Sequence, residues 1–493
     1  MNILRQKSGE WQAPLFGLMA IAAGLIAGLV SIKVGTPLII PALIISIIVL
    51  AVTFYRPDFG LLALFLLLYT RFSDVSIEYL NLPSSAKPFI AFLLLIAILR
   101  WVAYKEIPQN WQWPAFLVAL YGLVGALSLF IAVNEGATQE ALSDFAKDGI
   151  IVLLIAIFLK RRETLRSAVW VILAAGIFLG TLSVYQQLTM TYQNPYWGFA
   201  QAPLMHIVGE ENAFRIGGPM GSPNAFAQIM LPVIALAFHR IMVEEKWVLK
   251  GIAAYAFIIA ILTIVFTFSR NGFATMVVVI VISLIRRPPK PAVMVTLILL
   301  AIPLINFLPD SYLDRVSTLT DLIPGIGDEN AAVQEVSFRG RISENLAGWM
   351  MFREHPIMGV GWANYPEYYQ QYSRQIGVDD RTVQRGAHNL YLQIAAEQGL
   401  VGLFTFGVLV FAAFYRMRQA KIIFSRQGDD EFADLAAALM VGFLGYLIAG
   451  IFIHLAYPRH FWLLYGLAIA LPQIARNRPP KINQLEFRYE QIK

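Results

Sequence analysis

The chain has 493 residues, 58% hydrophobic and only 14% charged, so it carries more apolar surface than a soluble domain needs and is expected to be an all-α polytopic membrane protein. Its apolar runs are continuous rather than alternating, which excludes a β-barrel. With no cysteine it has no disulfide, thiolate nucleophile or Cys-bound metal, and its net charge of +6 needs no nucleic-acid partner, because membrane proteins collect basic residues in cytoplasmic loops.

Arg5 and Lys7 precede an apolar run at 15–31, the layout of a signal peptide. More hydrophobic segments follow at once, so an uncleaved first helix is expected. Runs continue near 37–54, 60–70, 88–101, 114–133, 148–159, 167–187, 223–241, 249–268, 272–285, 291–307, 389–415, 433–453 and 461–474. At roughly 20 residues per span this gives about 12–14 transmembrane helices, the lower count applying if the short runs at 60–70 and 148–159 are re-entrant. Alternate loops are short and basic: Arg56, then Arg100 and Lys105, then Lys160, Arg161 and Arg162. The series continues with Arg240, Lys246 and Lys250, with Arg286, Arg287 and Lys290, with Arg416, Arg418 and Lys421, and with Arg476, Arg478 and Lys481 in the tail. These loops are expected to be cytoplasmic, with both termini inside. Four regions follow: N-terminal helices at 1–187, central helices with an outer arginine loop at 188–307, a large outer loop at 308–388, and C-terminal helices with a tail at 389–493.

Two outer loops are long. In the second, Pro309 to Glu329 reads as irregular coil, and 341–354 reads as a helix lying along the outer interface. Ile342, Leu346, Trp349 and Met350 share one side of that helix, with Arg341, Glu344 and Asn345 facing away. Pro356 stops it and Gly359-Val360-Gly361 turns the chain. Tyr365, Tyr368, Tyr369 and Tyr372 then recur at helical spacing and read as an interfacial aromatic belt rather than a sugar platform.

The same topology puts Arg215, Arg270, Arg341 and the pair His388-Asn389 on the outer side, together with His454, Arg459 and His460. Each has a plain alternative. Arg270 can snorkel, Arg215 can form a loop ion pair, Arg341 can pair with Glu344, and His388 can simply begin a helix. Together they make a cationic face where excess positive charge is not expected. Guanidinium forks suit a diphosphate, and a helix starting at His388 adds backbone donors and a dipole that keeps the imidazole neutral. Glu397 is nearly the only carboxylate in a confident apolar run, so the midplane lacks the ionisable set of an ion-coupled transporter. The adjacent pairs Asp328-Glu329 and Asp379-Asp380 do not make a metal site.

His388-Asn389, nine residues, Gly399, two residues and Gly402 form a pattern that resembles the signature of the bacterial O-antigen ligase and polymerase family. Arg215 with Pro223-Asn224-Ala225-Phe226-Ala227, the Ser269-Arg270 turn, and Arg341 to Gly361 are similar to further family stretches, over roughly residues 200–475. Asn271 stands where the family often has glycine, with Gly272 directly after it. The resemblance implies a GT-C-like fold in the bacterial inner (cytoplasmic) membrane. It also implies an inverting, metal-independent glycosyltransferase without a cofactor, acting on the periplasmic or external face. The implied donor is a glycan on undecaprenyl diphosphate. The implied acceptor is lipid A–core for a ligase or another lipid-linked repeat for a polymerase, with protein glycosylation and transport as lesser readings. By the same resemblance His388 is the base, Arg215 and Arg341 hold the diphosphate, Arg270 and Asn389 contact substrate, and Gly399 and Gly402 are a structural motif.

Overall fold

The computed structural model describes residues 39–105, 112–207, 210–289, 336–377, 384–453 and 458–477. The expected spans at 15–31 and 291–307, the coil from Pro309 to Glu329, Asp379-Asp380, His454 and the basic tail beyond Asn477 lie outside them.

Fifteen α-helices are described. The first four are α1 (Ile39–Tyr55), α2 (Pro57–Tyr69), α3 (Phe72–Leu80) and α4 (Ala86–Tyr104). Next come α5 (Gln112–Leu127), α6 (Glu135–Phe158) and α7 (Arg162–Leu188), followed by a hairpin of β1 (Leu204–Ile207) and β2 (Glu210–Phe214), paired antiparallel. Three helices follow: α8 (Pro223–Val243), α9 (Trp247–Phe266) and α10 (Arg270–Arg286). The second long loop contains α11 (Val336–Glu354) and α12 (Tyr365–Ile376), and the last helices described are α13 (Leu390–Arg426), α14 (Asp430–Ala449) and α15 (Pro458–Arg476). The all-α polytopic class therefore holds, with one small hairpin in the first long loop.

Among the described residues, seven helices are long and apolar enough to cross a membrane, or eight if α2 and α3, bent by 54° at Thr70-Arg71, count as one broken span. That is fewer than 12–14. Part of the difference is physical: the first 14 residues of α6 carry Glu135, Glu140, Asp144, Lys147 and Asp148, and α1 and α10 have only 17 residues each. Helix α8 is the hub, buried from Ala225 through Arg240 against α9, α10 and α14. Large apolar side chains such as Phe404, Phe411 and Trp247 are exposed on the outside of the bundle, as a lipid-facing surface requires.

The two ends of the bundle differ in chemistry. At one end Arg162 binds Asp429, Arg287 binds Asp434, and Glu431 accepts from Arg166 Nε at 3.0 Å and Arg240 Nη1 at 2.9 Å. At the other end the starts of α8, α10 and α13 all attach to the last turn of α14. Gln228 donates to the Tyr446 carbonyl at 2.9 Å, Asn271 to Ala449 at 2.9 Å, and Tyr391 to Leu447 at 2.8 Å.

Helix α13 is broken within its apolar run. Gly399 adopts φ 63° and ψ −160°, and residues 356–361 dock into the break. Leu400 N donates to the Pro356 carbonyl at 2.8 Å, Val360 N to Ala396 at 2.9 Å, and Gly361 N to Glu397 at 2.9 Å. The approach is so close that a Cβ on Gly399 would sit 2.2 Å from the Ile357 oxygen, and one on Gly359 would sit 2.5 Å from the Ala396 oxygen. The Glu397 carboxylate belongs to this junction, accepting from Ala363 N at 3.0 Å and Gln393 at 3.2 Å. Gly399 of the signature thus sets where the chain that follows α11 docks on α13.

The tyrosines do not form a belt. Tyr365, Tyr369 and Tyr372 are buried, with hydroxyls on the Glu344 carbonyl, Ser343 Oγ and Glu354 of α11. A buried tyrosine must pair its hydroxyl, and α11 supplies the partners. Helix α11 itself turns Leu346 and Trp349 outward and buries Ser343, Glu344, Ala347 and Met351.

Candidate active site

His388 immediately precedes the N-cap of α13. Asn389 is the cap: its Oδ1 accepts from Tyr391 N and Leu392 N, each at 3.1 Å. Those first-turn donors, expected to be open to a substrate anion, are therefore occupied, and Asn389 has a structural task at this position.

The neighbour of His388 is a carboxylate. Its Nδ1 lies 2.7 Å from Glu344 Oε2, and Arg385 Nη1 donates to the other Glu344 oxygen at 2.7 Å. Glu344 is 1% exposed while His388 is 32% exposed, so the carboxylate is enclosed and the ring keeps an accessible side. Burial works against the charge of Glu344, but the His388 and Arg385 contacts outweigh it and hold its pKa below the usual carboxylate value. Glu344, weighed from the sequence as a partner for Arg341, engages Arg385 and His388. A carboxylate therefore stands beside His388 in addition to the helix start. Glu344 stands on the Nδ1 side of the ring, so Nε2 is the nitrogen turned away from the carboxylate.

The arginines divide into two groups. Arg215 follows β2 and is buried, with Nε donating to the Thr267 carbonyl at 2.8 Å. Thr267 caps α9, two residues before Ser269, whose side chain caps α10 by accepting from Gly272 N at 3.1 Å. Arg215 thus meets the Ser269-Arg270 turn, and Gly272 keeps that turn intact despite Asn271. Arg341, half-buried, sits one turn before Glu344 on α11. Both groups reach the same end of α14: Asn271 bonds Ala449, and Leu390 packs on Gly450. Of the signature glycines, Gly399 makes the helix break, and Gly402 leaves room for Gln398, whose Cβ would be 2.2 Å from an added Cβ.

Sequence reasoning missed Glu344 and Arg385 as partners of His388. The available signal was a carboxylate one turn after Arg341 on the same outer helix.

The Glu344 cluster predicts a pH effect. Its folded pKa is depressed, so its stabilising contribution is present above the unfolded value near 4.5 and is lost as pH falls through the folded value. Glu344→Gln is therefore expected to flatten the acid limb of a melting-temperature profile. An unchanged acid limb would show that the cluster adds nothing to stability.

Residues 255–407 match a family model described as O-antigen ligase, a stretch that includes Arg270, Arg341, Glu344, His388 and both signature glycines but not Arg215. No curated protein matches the chain. With that match and the motif at 388–402, the chain is similar to the O-antigen ligase and polymerase family over this stretch.

Proposed function

We propose that the protein transfers a glycan from undecaprenyl diphosphate to an acceptor hydroxyl, inverting at the anomeric carbon without a metal, on the periplasmic face of the bacterial inner membrane. The carrying observation is His388 Nδ1 held 2.7 Å from the buried Glu344 carboxylate, at the bundle end that also gathers Arg215 and the Ser269-Arg270 turn.

In this reading the acceptor O–H gives its proton to His388 Nε2. The acceptor oxygen bonds the anomeric carbon, and the bond from that carbon to the diphosphate oxygen breaks with its electrons on the phosphate. Glu344 positions the ring and stabilises the imidazolium that forms. Arg215 and Arg341 take the developing diphosphate charge, which is worth more in the transition state than in the ground state, and Arg270 borders the same space. Asn389 acts by capping α13 and so placing His388. The acceptor is lipid A–core for a ligase. A polymerase would use a second lipid-linked repeat and yield a ladder of products instead of a single addition.

The orientation is testable in this cysteine-free chain. Gln375, on α12, and Ser425, at the far end of α13, are both exposed. An impermeant thiol reagent applied to cells with a permeabilised outer membrane is expected to label Gln375→Cys and spare Ser425→Cys. The reverse pattern would put His388 on the cytoplasmic side and overturn the proposal.

A further inference from the structure

A polar cavity of 240 Å³ lies where the α2–α3 break meets the starts of α4 and α15 and the middle of α6. Its charged lining is Arg71, Asp74, Asp144, Asp148 and Arg459, with His460 beside them. Arg459 Nη1 lies 3.1 Å from Asp74 Oδ1, and Arg71 Nε donates to Asp74 Oδ2 at 3.0 Å. Arg71 Nη1 also donates to the Pro219 carbonyl at 3.0 Å, which ties the cavity wall to the loop that follows Arg215.

Two enclosed polar atoms in this lining lack hydrogen bonds among the described residues. Asp148, 1% exposed, has Oδ1 no nearer than 3.8 Å to Arg459 Nε, and His460, 3% exposed, has an unpaired Nδ1 while its other nitrogen faces the Tyr69 carbonyl at 3.2 Å. Buried groups left this way normally meet a ligand or water. Charge narrows the ligand class. Arg71 and Arg459 face Asp74, and Lys147 pairs with Asp144 at 2.6 Å, so groups of both signs line the cavity. A phosphate would face the carboxylates, and a cation would face the guanidiniums. A neutral ring rich in hydroxyls finds acceptors in the aspartates and donors in the arginines at once. The volume equals that of about eight waters, which suits one such ring rather than a chain of them.

We propose that this cavity binds a single sugar ring through its hydroxyls, on the same face of the bundle as His388. Which glycan supplies the ring rests on the transfer reading above; the binding itself does not.

The test uses purified full-length protein in a sugar-free detergent, with methyl glycosides of glucose, galactose and N-acetylglucosamine as probes in saturation-transfer NMR. A signal with at least one glycoside is expected, reduced about tenfold by Asp148→Asn, which removes a charge-assisted acceptor, and by Ala86→Leu, which fills the cavity without touching a charge. The signal is expected to persist in His388→Ala. No signal from any glycoside, or one that neither variant reduces in folded protein, overturns the proposal even if transfer itself is established. In a transfer assay, a raised KM for acceptor in Ala86→Leu assigns the ring to the acceptor, and a raised KM for donor assigns it to the donor glycan. An unchanged KM for both overturns the assignment of the ring to either transfer substrate.

Discussion

His388→Ala is expected to lower transfer turnover by about 10²–10⁴-fold, the range that a positioned general base supplies. Donor binding is expected to survive, because the diphosphate is assigned to Arg215 and Arg341 and not to the imidazole. The variant removes the ring from a half-buried site at the edge of α13 and leaves the Asn389 cap and the Arg385–Glu344 pair in place, so folding should be retained. A matched thermal melt checks that point. Turnover near the wild-type level would reduce His388 to a residue that starts a helix. Loss of donor binding with unchanged chemistry on bound donor would move it into the diphosphate site.

Gly399→Ala is expected to be the most damaging small substitution in the chain. The φ/ψ region that Gly399 occupies is essentially reserved for glycine, at a cost of order 1–3 kcal/mol for other residues. The added methyl would also meet the Ile357 oxygen at 2.2 Å, and that atom is backbone held by the junction itself. Relief requires 356–361 to lift away from α13, which breaks the bonds at Leu400, Val360 and Gly361 and lets α11 carry Glu344 away from His388. Expression, melting temperature and turnover should therefore fall together. A variant with wild-type stability and activity would show that the junction is not what aligns the two helices.

Much of this was legible in the chain. Lysine and arginine asymmetry divides the loops into two sets, and the two long loops join the bundle end that holds His388. Ser222, Ser269 and Asn389 cap helices where small polar residues precede apolar runs. The rest was hidden for physical reasons. Helix α11 inverts the usual pattern: Leu346 and Trp349 face outward while Glu344 is enclosed, so a reading that gives carboxylates to water misses it. Gly399 lies in an apolar run with helical periodicity on both sides, and only the backbone of 356–361 reveals the break. The tyrosine spacing was helical, as read, but period alone cannot say whether lipid, sugar or another helix covers a face. Arg459 and Asp74 lie 385 residues apart, beyond the reach of any local pattern.

The central claim is transfer of a lipid-diphosphate-linked glycan to a hydroxyl by a base at His388. The most direct measurement reconstitutes purified protein with an undecaprenyl-diphosphate glycan and lipid A–core in chelator, and follows glycosylated acceptor and released lipid diphosphate by mass spectrometry. The account predicts both products in equal amounts, with inverted anomeric configuration and dependence on His388. Product that requires added magnesium, or uptake of solute with no transfer to any acceptor, would contradict it.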